Sequence, residues 1–281
     1  MEQLTILEVF RQKMAFISEP QDIDYNSRKY HEYKARQWNE TRIDSEDGIE
    51  CPLCGNKGTL ARVIEIEGFF YDNEDIPCSC MARRRAAHNL DRSGMKSAIE
   101  NCGKYETNYD WQRTIHAKAV MFVKQLLDDS IEDKARCFYI GGQAGAGKTL
   151  ICTLMCKTLI EKGYPLIYKK WVALMEELTD YRNERRRELL EELAKVDVLY
   201  LDDLLKPCGG GNYTRQELRA TFELLDRRYC LPSAVTLISS ELTLAQVEKL
   251  DMATARRIRD MARGQFHIDV SPDINKIYRP Y

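Results

Sequence analysis

The most constraining feature of this chain is a glycine-rich stretch that reads GQAGAGKT and matches the phosphate-binding pattern G-x4-G-K-T. An apolar strand is predicted just before it, over 137–140, and a helix just after it, over 147–161. In that context the glycines let consecutive backbone N–H groups surround phosphate oxygens. The alternative is a glycine turn that only caps a helix. The predicted ATP/ADP-binding residues are Gly142, Gln143, Ala144, Gly145, Ala146, Gly147, Lys148, Thr149 and Leu150.

A second ATP signature lies about fifty residues beyond Lys148, where an apolar strand predicted over 198–201 ends in two acids. Ligands bind at the carboxyl ends of parallel strands. We expect Asp202 to hold Mg²⁺ together with the Thr149 hydroxyl, and Asp203 to orient or deprotonate the attacking water. The alternative is that one of the two acids is a surface residue capping the next helix.

Length and composition limit the class of protein. The 281 residues are enough for one large and one small domain. A net charge of -2 and an apolar fraction of 44% exclude a chain that binds polyanions over its whole surface. No stretch approaches the roughly 18 consecutive apolar residues of a spanning helix, and the start lacks a basic flank followed by an apolar run. We therefore expect a cytoplasmic protein with no membrane partner.

Ten cysteines in a chain with no export signal favour metal binding over disulfides. Four are clustered as C-x2-C and C-x-C, with 23 residues and a predicted strand or hairpin between the pairs. Four thiolates suit tetrahedral Zn²⁺ and leave no open position for a substrate, which predicts a structural, zinc-ribbon-like site. The alternative is unligated core cysteines. The predicted zinc ligands are Cys51, Cys54, Cys78 and Cys80.

The chain is predicted to form two domains, 1–95 and 96–281. The first is partly helical, opens with an amphipathic helix over 1–20 and contains the zinc cysteines. In the second, strands alternate with helices, which is typical of an α/β fold whose parallel sheet is covered on both faces. Strands are predicted at 137–140, 166–168, 198–201, 234–238 and 266–270, and helices at 147–161, 172–178, 182–194, 216–229 and within 243–263.

Three further groups of residues are candidates for chemistry. After the strand at 234–238, Ser240 or Glu241 could position water, or this segment could cap the next helix. Arg257, or its neighbour Arg256, could supply charge to the ATP of an adjacent subunit, or could belong to a solvated or DNA-facing helix surface. The basic stretch 181–187 could contact single-stranded DNA, or could form ion pairs along a helix.

Together these motifs resemble those of the DnaC/DnaI-type replicative helicase loaders, especially phage and prophage members with a zinc-binding N-terminal region. Beyond the ATP motifs and cysteines, the resemblance rests on residues 105–111 and on the segments LDDLLK at 201–206 and LISSELTL at 237–244. Two positions depart from the pattern. Many relatives place Asn where Glu241 stands, and the finger position carried onto Arg257 lies in an Arg-Arg-Ile context rather than after Gly or Ser.

This resemblance implies an AAA+ P-loop NTPase domain with little or no lid, since about a dozen residues follow Val270. It implies a Mg²⁺-dependent ATPase that self-associates with ATP at subunit interfaces. It also implies that the N-terminal region holds a DnaB-type hexameric helicase, which is delivered onto single-stranded DNA in a bacterial cell or its phage.

Three other functions share part of this pattern. An IstB-like transposition helper has the same fold and ATP motifs but acts on duplex DNA. A small-molecule P-loop kinase would need an acceptor pocket and a mobile lid carrying arginine, whereas the two-acid strand end favours water activation. A non-catalytic adaptor would use ATP only as a conformational switch.

Overall fold

A computed structural model of the chain describes residues 24–180, 184–207, 213–273 and 276. The chain divides into two compact units, one ending at Arg84 and the other beginning at Arg85. The domain limits 1–95 and 96–281 stay a prediction. The helix predicted over 1–20 and the first residues of the basic stretch 181–187 lie outside the described residues.

The N-terminal unit is built from one helix and one hairpin. Helix α1 spans Arg28–Glu40, and strands β1, Thr59–Ile66, and β2, Phe69–Pro77, pair antiparallel. Glu67 and Gly68 connect the strands with φ values of 52° and 82°, the left-handed geometry that a two-residue hairpin turn requires. The predicted strand or hairpin between the cysteine pairs is therefore a hairpin.

A side-chain amide on α1 fixes the helix to the hairpin. The Asn39 amide donates to the Ala61 carbonyl at 3.0 Å, and its oxygen accepts from the Ala61 N–H at 2.8 Å. The pairing of β1 with β2 shifts register between Leu60 and Arg62, so the Ala61 backbone is not used by the ladder at this point. The asparagine thus satisfies both polar groups of a bulged residue.

The second unit contains a five-stranded parallel sheet in the order β4-β5-β6-β3-β7. The strands are β3 Cys137–Gly142, β4 Leu166–Lys170, β5 Val198–Asp202, β6 Val235–Ser239 and β7 His267–Val270. Strands β3, β5 and β6 are buried at every residue, so both faces of the sheet centre are covered. This confirms the predicted AAA+ P-loop fold, in which β6 lies between the loop strand β3 and the acid strand β5.

Helices precede β3 and separate the strands of this sheet, and the first of them begins in the N-terminal unit. They are α2 Cys80–Ser93, α3 Lys96–Glu100, α4 Asp110–Leu127, α5 Lys148–Glu161, α6 Trp171–Thr179, α7 Arg186–Lys195, α8 Arg215–Tyr229, α9 Leu244–Leu250 and α10 Met252–Met261. The helical region expected within 243–263 is two helices, because Asp251 ends α9 and its carboxylate caps α10 through the N–H groups of Ala253 and Thr254. No helix in the described ranges is long and apolar enough to cross a membrane.

One buried arginine ties α7, α8 and β6 together. Arg228 has no exposed surface, and its guanidinium donates to the carbonyls of Leu193 at 2.7 Å and Val196 at 2.9 Å, where α7 ends. It also donates to the Thr236 hydroxyl at 2.9 Å. Burial lowers the pKa of Arg228 to about 10, so it remains a cation at neutral pH. It supplies donors for helix-end carbonyls that have no partner within the helix.

Candidate functional site

The glycine-rich loop has the backbone shape that the motif requires. It runs from the end of β3 to the start of α5, and Gly142, Gly145 and Gly147 have φ values of 102°, 76° and 75°. Side chains disfavour this left-handed region. A Cβ atom on Gly142 would also lie 2.2 Å from the carbonyl oxygen of Val270. Glycine is therefore required here for both conformation and space.

Lys148 is buried at the base of this loop. Its ammonium donates to the carbonyl of Gly142 at 2.9 Å and to that of Gln143 at 2.7 Å. Burial lowers the pKa of Lys148, while the negative charges of Glu241 and Asp203 act in the opposite direction. The lysine predicted from the motif thus lies within the electrostatic reach of the acids at the neighbouring strand ends.

Asp202 is the centre of a hydroxyl cluster at the end of β5. The carboxylate is 4% exposed and accepts hydrogen bonds from four hydroxyl groups. The Thr149 hydroxyl donates to Oδ1 at 3.1 Å and the Tyr200 hydroxyl at 2.8 Å, and Ser239 also donates to this oxygen. The Tyr168 hydroxyl donates to Oδ2 at 3.1 Å. Thr149 and Asp202, the two side chains expected to hold Mg²⁺, are therefore in direct contact.

The two tyrosines donate to Asp202 in this cluster. Burial raises the pKa of the Tyr168 hydroxyl, and the charge of Asp202 raises it further. Burial likewise raises the pKa of Tyr200, which has no exposed surface. Both phenols stay protonated at neutral pH, so both can donate to the Asp202 carboxylate and fix its orientation.

Asp203 is held at the start of a strained turn. It has a φ of 55°, which is unusual for a residue with a side chain, and its backbone N–H donates to the Ser239 hydroxyl at 3.2 Å. The Lys206 ammonium donates to its Oδ2 at 3.0 Å. Lys206 also lies 3.2 Å from Oε1 of Glu241, and its hydrogen bond to Asp203 is the main cause of its raised pKa.

The residues after β6 divide into structural and accessible groups. The Ser240 hydroxyl is completely buried, donates to the Leu204 carbonyl at 2.7 Å and accepts from the Leu242 N–H at 3.0 Å. Thr243 caps α9 in a reciprocal pair with Gln246. Ser240 is therefore committed to backbone contacts, whereas Glu241 is exposed beside Lys206.

The two arginines of α10 differ in accessibility. Arg257 donates from Nε to Asp226 at 2.7 Å, and its guanidinium lies 4.3 Å from the centre of the Tyr229 ring. The side chain of Arg256 is 76% exposed, with an Asp260 oxygen 3.9 Å away. Arg257 is thus engaged with α8 of its own chain, and a role for either arginine at a neighbouring subunit stays a prediction.

The described part of the basic stretch forms ion pairs. Of the residues at 181–187, those from 184 onward are described, and their arginines contact acidic side chains of α7 and α8. These pairs are Arg185 with Glu188 at 3.6 Å, Arg186 with Glu223 at 3.0 Å and Arg187 with Glu191 at 3.4 Å. Such contacts match the ion-pair alternative, and DNA contact by this stretch stays a prediction.

The four clustered cysteines of the N-terminal unit converge. Their Sγ atoms all lie within 4.8 Å of one another, with 3.8 Å between Cys51 and Cys78 and 3.6 Å between Cys54 and Cys80. Sulfurs placed tetrahedrally at about 2.3 Å from a zinc ion are about 3.8 Å apart. The arrangement is therefore compatible with zinc.

The turn after Cys54 is shaped for this cluster. The Gly58 N–H donates to the Cys54 sulfur at 3.3 Å. Gly55 has a φ of 54°, and a Cβ atom there would lie 2.1 Å from the Thr41 carbonyl oxygen. Hydrogen bonding from the backbone of Cys54 lowers the pKa of Cys51 to about 6. The lowered pKa favours the Cys51 thiolate, the form that binds a metal, whereas burial raises the pKa of Cys80 to about 12.

The IstB-like ATP binding protein family matches residues 78–261, more than half of the chain. The chain belongs to this family. This IstB-like protein is 31% identical over 191 residues to the phage-like element PBSX protein XkdC of Bacillus subtilis (strain 168). The aligned region covers 66% of this chain and 70% of XkdC. The family membership and the phage-element relative confirm the predicted resemblance to DnaC-type ATP-binding proteins.

Two solved structures are similar to this chain over about two thirds of its length. DnaI is 20% identical, with a TM-score of 0.48, and the match covers 64% of this chain and 95% of DnaI. The DnaC helicase loader is 14% identical, with a TM-score of 0.45 and coverage of 66% and 99%. Identities and TM-scores this low do not establish the fold. The fold is established by the strand order and the phosphate-binding loop of the IstB-like chain itself.

Four side chains of this site were not predicted from the sequence. They are Tyr168, Tyr200, Lys206 and Ser239. Tyr200 had a usable signal, because residues two apart in a strand point to the same face and Tyr200 precedes Asp202 by two. The other three come from neighbouring strands or turns.

Proposed function

We propose that this IstB-like protein is a Mg²⁺-dependent ATPase that loads a DnaB-type hexameric replicative helicase onto single-stranded DNA. The observation that carries the proposal is the contact between Thr149 and Asp202, which joins the phosphate-binding loop to the acid strand at 3.1 Å. It supports a site for a metal-bound nucleoside triphosphate. The loader role rests on this site occurring together with a cysteine-bearing N-terminal unit.

In this proposal the loop handles the phosphates of ATP or ADP. Backbone N–H groups of the loop and the start of α5 donate to the phosphate oxygens. Lys148 exchanges its two loop carbonyls for phosphate oxygens, because an anion is a stronger acceptor for an ammonium group than a neutral carbonyl. Thr149 and Asp202 would hold Mg²⁺, which neutralises charge on the phosphates when bound.

Asp203 acts on water in the hydrolytic step. Its carboxylate orients a water molecule towards the γ-phosphorus and accepts a proton from it. The water oxygen bonds to phosphorus while the bond to the β-γ bridging oxygen breaks, and ADP leaves with that electron pair. An arginine of α10, Arg257 or Arg256, is proposed to stabilise this charge at the interface with a second copy of the chain.

The N-terminal unit is proposed to bind the helicase. Cys51, Cys54, Cys78 and Cys80 hold a structural Zn²⁺ that fixes the base of the β1-β2 hairpin. One hairpin face then presents Ile66 and Phe69, which are cross-strand partners and 54% and 55% exposed, with Tyr71 beside them. Exposed apolar clusters mark contact sites.

The charge of the hairpin favours a protein partner over nucleic acid. Residues 59–77 contain five acidic side chains and one arginine. An acidic surface repels a phosphate backbone. Single-stranded DNA is therefore assigned to the ATPase unit, where residues 185–187 are all arginine.

The second candidate function is an IstB-like transposition helper. It is favoured by the family match over 78–261, which begins after α1, β1 and β2 and covers most of the second unit. We favour the loader because a helper that acts on duplex DNA gives no role to an acidic, apolar-faced hairpin.

A loading assay on closed circular single-stranded DNA tests the proposal. A helicase hexamer cannot thread onto a circle without ring opening, so helicase retained on the circle after gel filtration in high salt reports loading. We expect retention with this chain and ATP, and none with Lys148→Ala. Retention that is the same without the chain would refute the loader role. ATP-dependent assembly of the chain on duplex DNA, without helicase loading, would support the transposition helper instead.

A further inference from the structure

A single ammonium group bridges two strand ends at the ATP site. The Lys206 nitrogen lies 3.0 Å from Oδ2 of Asp203 and 3.2 Å from Oε1 of Glu241. Asp203 follows β5 directly and Glu241 follows β6, and these strands are neighbours in the sheet. Glu241 therefore contacts Asp203 indirectly, through Lys206.

The backbone fixes Lys206 in this position. Asp203 and Leu205 both have left-handed φ values, 55° and 56°, which cost energy for residues with side chains. The turn is held in spite of that cost, because the Leu204 N–H donates to the Ser239 carbonyl at 2.8 Å and the Lys206 N–H to the Asp203 carbonyl at 3.1 Å. Leu204 and Leu205 are completely buried. The lysine is thus presented by a rigid turn.

The three carboxylates near the phosphate-binding loop need a neighbouring cation. Asp202, Asp203 and Glu241 all act electrostatically on Lys148 at the phosphate-binding loop. Three carboxylates near a triphosphate oppose its binding and push one another apart. Lys206 neutralises one of the charges and holds Asp203 and Glu241 together. Its side chain is 42% exposed, so this contact is screened and serves geometry more than stability.

We propose that Lys206 is a positioning residue for ATP hydrolysis and that Glu241 acts through it. By holding Oδ2 of Asp203, the ammonium sets the direction of the carboxylate that receives the proton from water. Glu241 holds the other side of the ammonium and has no separate contact with the water. This inference rests on the proposed ATPase function. It differs from the sequence-based expectation that Glu241 itself positions water.

Steady-state ATPase kinetics of Lys206→Met, Lys206→Arg, Glu241→Gln and the double variant Lys206→Met/Glu241→Gln test the inference. We expect Lys206→Met to lower kcat by about tenfold or more with KM for ATP within about twofold, because a misdirected base affects the chemical step and not binding. Lys206→Arg restores most of kcat. Glu241→Gln lowers kcat less than Lys206→Met does, and the double variant has the same kcat as Lys206→Met.

Lys96→Met is the matched control, since Lys96 forms an exposed ion pair with Asp91 at 2.7 Å elsewhere in the second unit. Wild-type kcat in Lys206→Met would overturn the inference, as would a raised KM with unchanged kcat. A double variant well below Lys206→Met would mean that Glu241 acts on water directly. If Lys206→Met does not fold, Lys206→Gln, which also removes the charge, takes its place: a loss of kcat on adding Glu241→Gln that is as large as in wild type overturns the coupling. No turnover by wild type would refute the ATPase proposal itself.

Discussion

Replacing Arg228 with methionine should destabilise the second unit strongly. The guanidinium donates to the carbonyls of Leu193, Ala194, Val196 and Val235 at 2.5–3.1 Å and to the Thr236 hydroxyl. Methionine leaves these five buried acceptors without their donor, at about 1–3 kcal/mol for each that water cannot reach.

The net loss is smaller than that sum, because removing a buried cation also removes its desolvation cost. We expect the free energy of unfolding to fall by about 3–5 kcal/mol, which corresponds to about two or three acceptors left unsatisfied at about 1–3 kcal/mol each. Arg228→Lys should lose less, since an ammonium keeps the charge and three donors.

Urea unfolding followed by circular dichroism measures this effect, with Arg227→Met as the control on the same helix. Arg227 is 40% exposed and pairs with Glu223 at 2.9 Å, so its loss should cost only about 0–1 kcal/mol. Arg228→Met within about 1 kcal/mol of Arg227→Met would refute the reasoning.

Three further predictions concern metal, nucleotide and partner. Cys54→Ser should lower zinc content from about one ion per chain, measured by atomic emission, because a tetrahedral site needs all four thiolates; unchanged metal content would exclude the site. Tyr168→Phe should raise the Mg²⁺ concentration for half-maximal hydrolysis by about threefold or more, as Asp202 loses one orienting donor, whereas Tyr164→Phe, whose hydroxyl contacts a backbone carbonyl at 3.4 Å, should not. Phe69→Ser should weaken helicase binding by about tenfold at unchanged ATPase activity. Unaltered binding would show that this hairpin face is not the docking surface.

The parts of the site that depend on local sequence were predictable. The loop glycines, the lysine and the threonine occur within eight residues, between a predicted strand and a predicted helix, and this local context predicts their geometry. The cysteine pairs are also local, and the turn after the first pair has left-handed φ values at Gly55 and Gly58. Asp202 was predictable because an apolar strand that ends in acids is a pattern within one element.

The rest depends on strand register, which the sequence does not encode locally. Tyr168 reaches Asp202 because β4 pairs with β5 so that Tyr168 lies opposite Tyr200. Ser239 reaches the same carboxylate because β6, and not β3, is the neighbour of β5. A role for Glu241 was expected from its position, but its contact with Lys206 depends on a turn with two left-handed residues. Such a turn has no glycine to reveal it.

The most direct test of the loader account is the solution mass, by light scattering, of this chain mixed with a DnaB-type hexamer from the organism that encodes it, in ATP and in ADP. The account predicts a complex whose amount depends on the nucleotide. It also predicts that Lys148→Ala changes the amount of complex in ATP, because in this account the Lys148 ammonium of the loop contacts the phosphates. A chain that forms no complex with the helicase in either nucleotide, and instead assembles alone on duplex DNA with ATP, would contradict it.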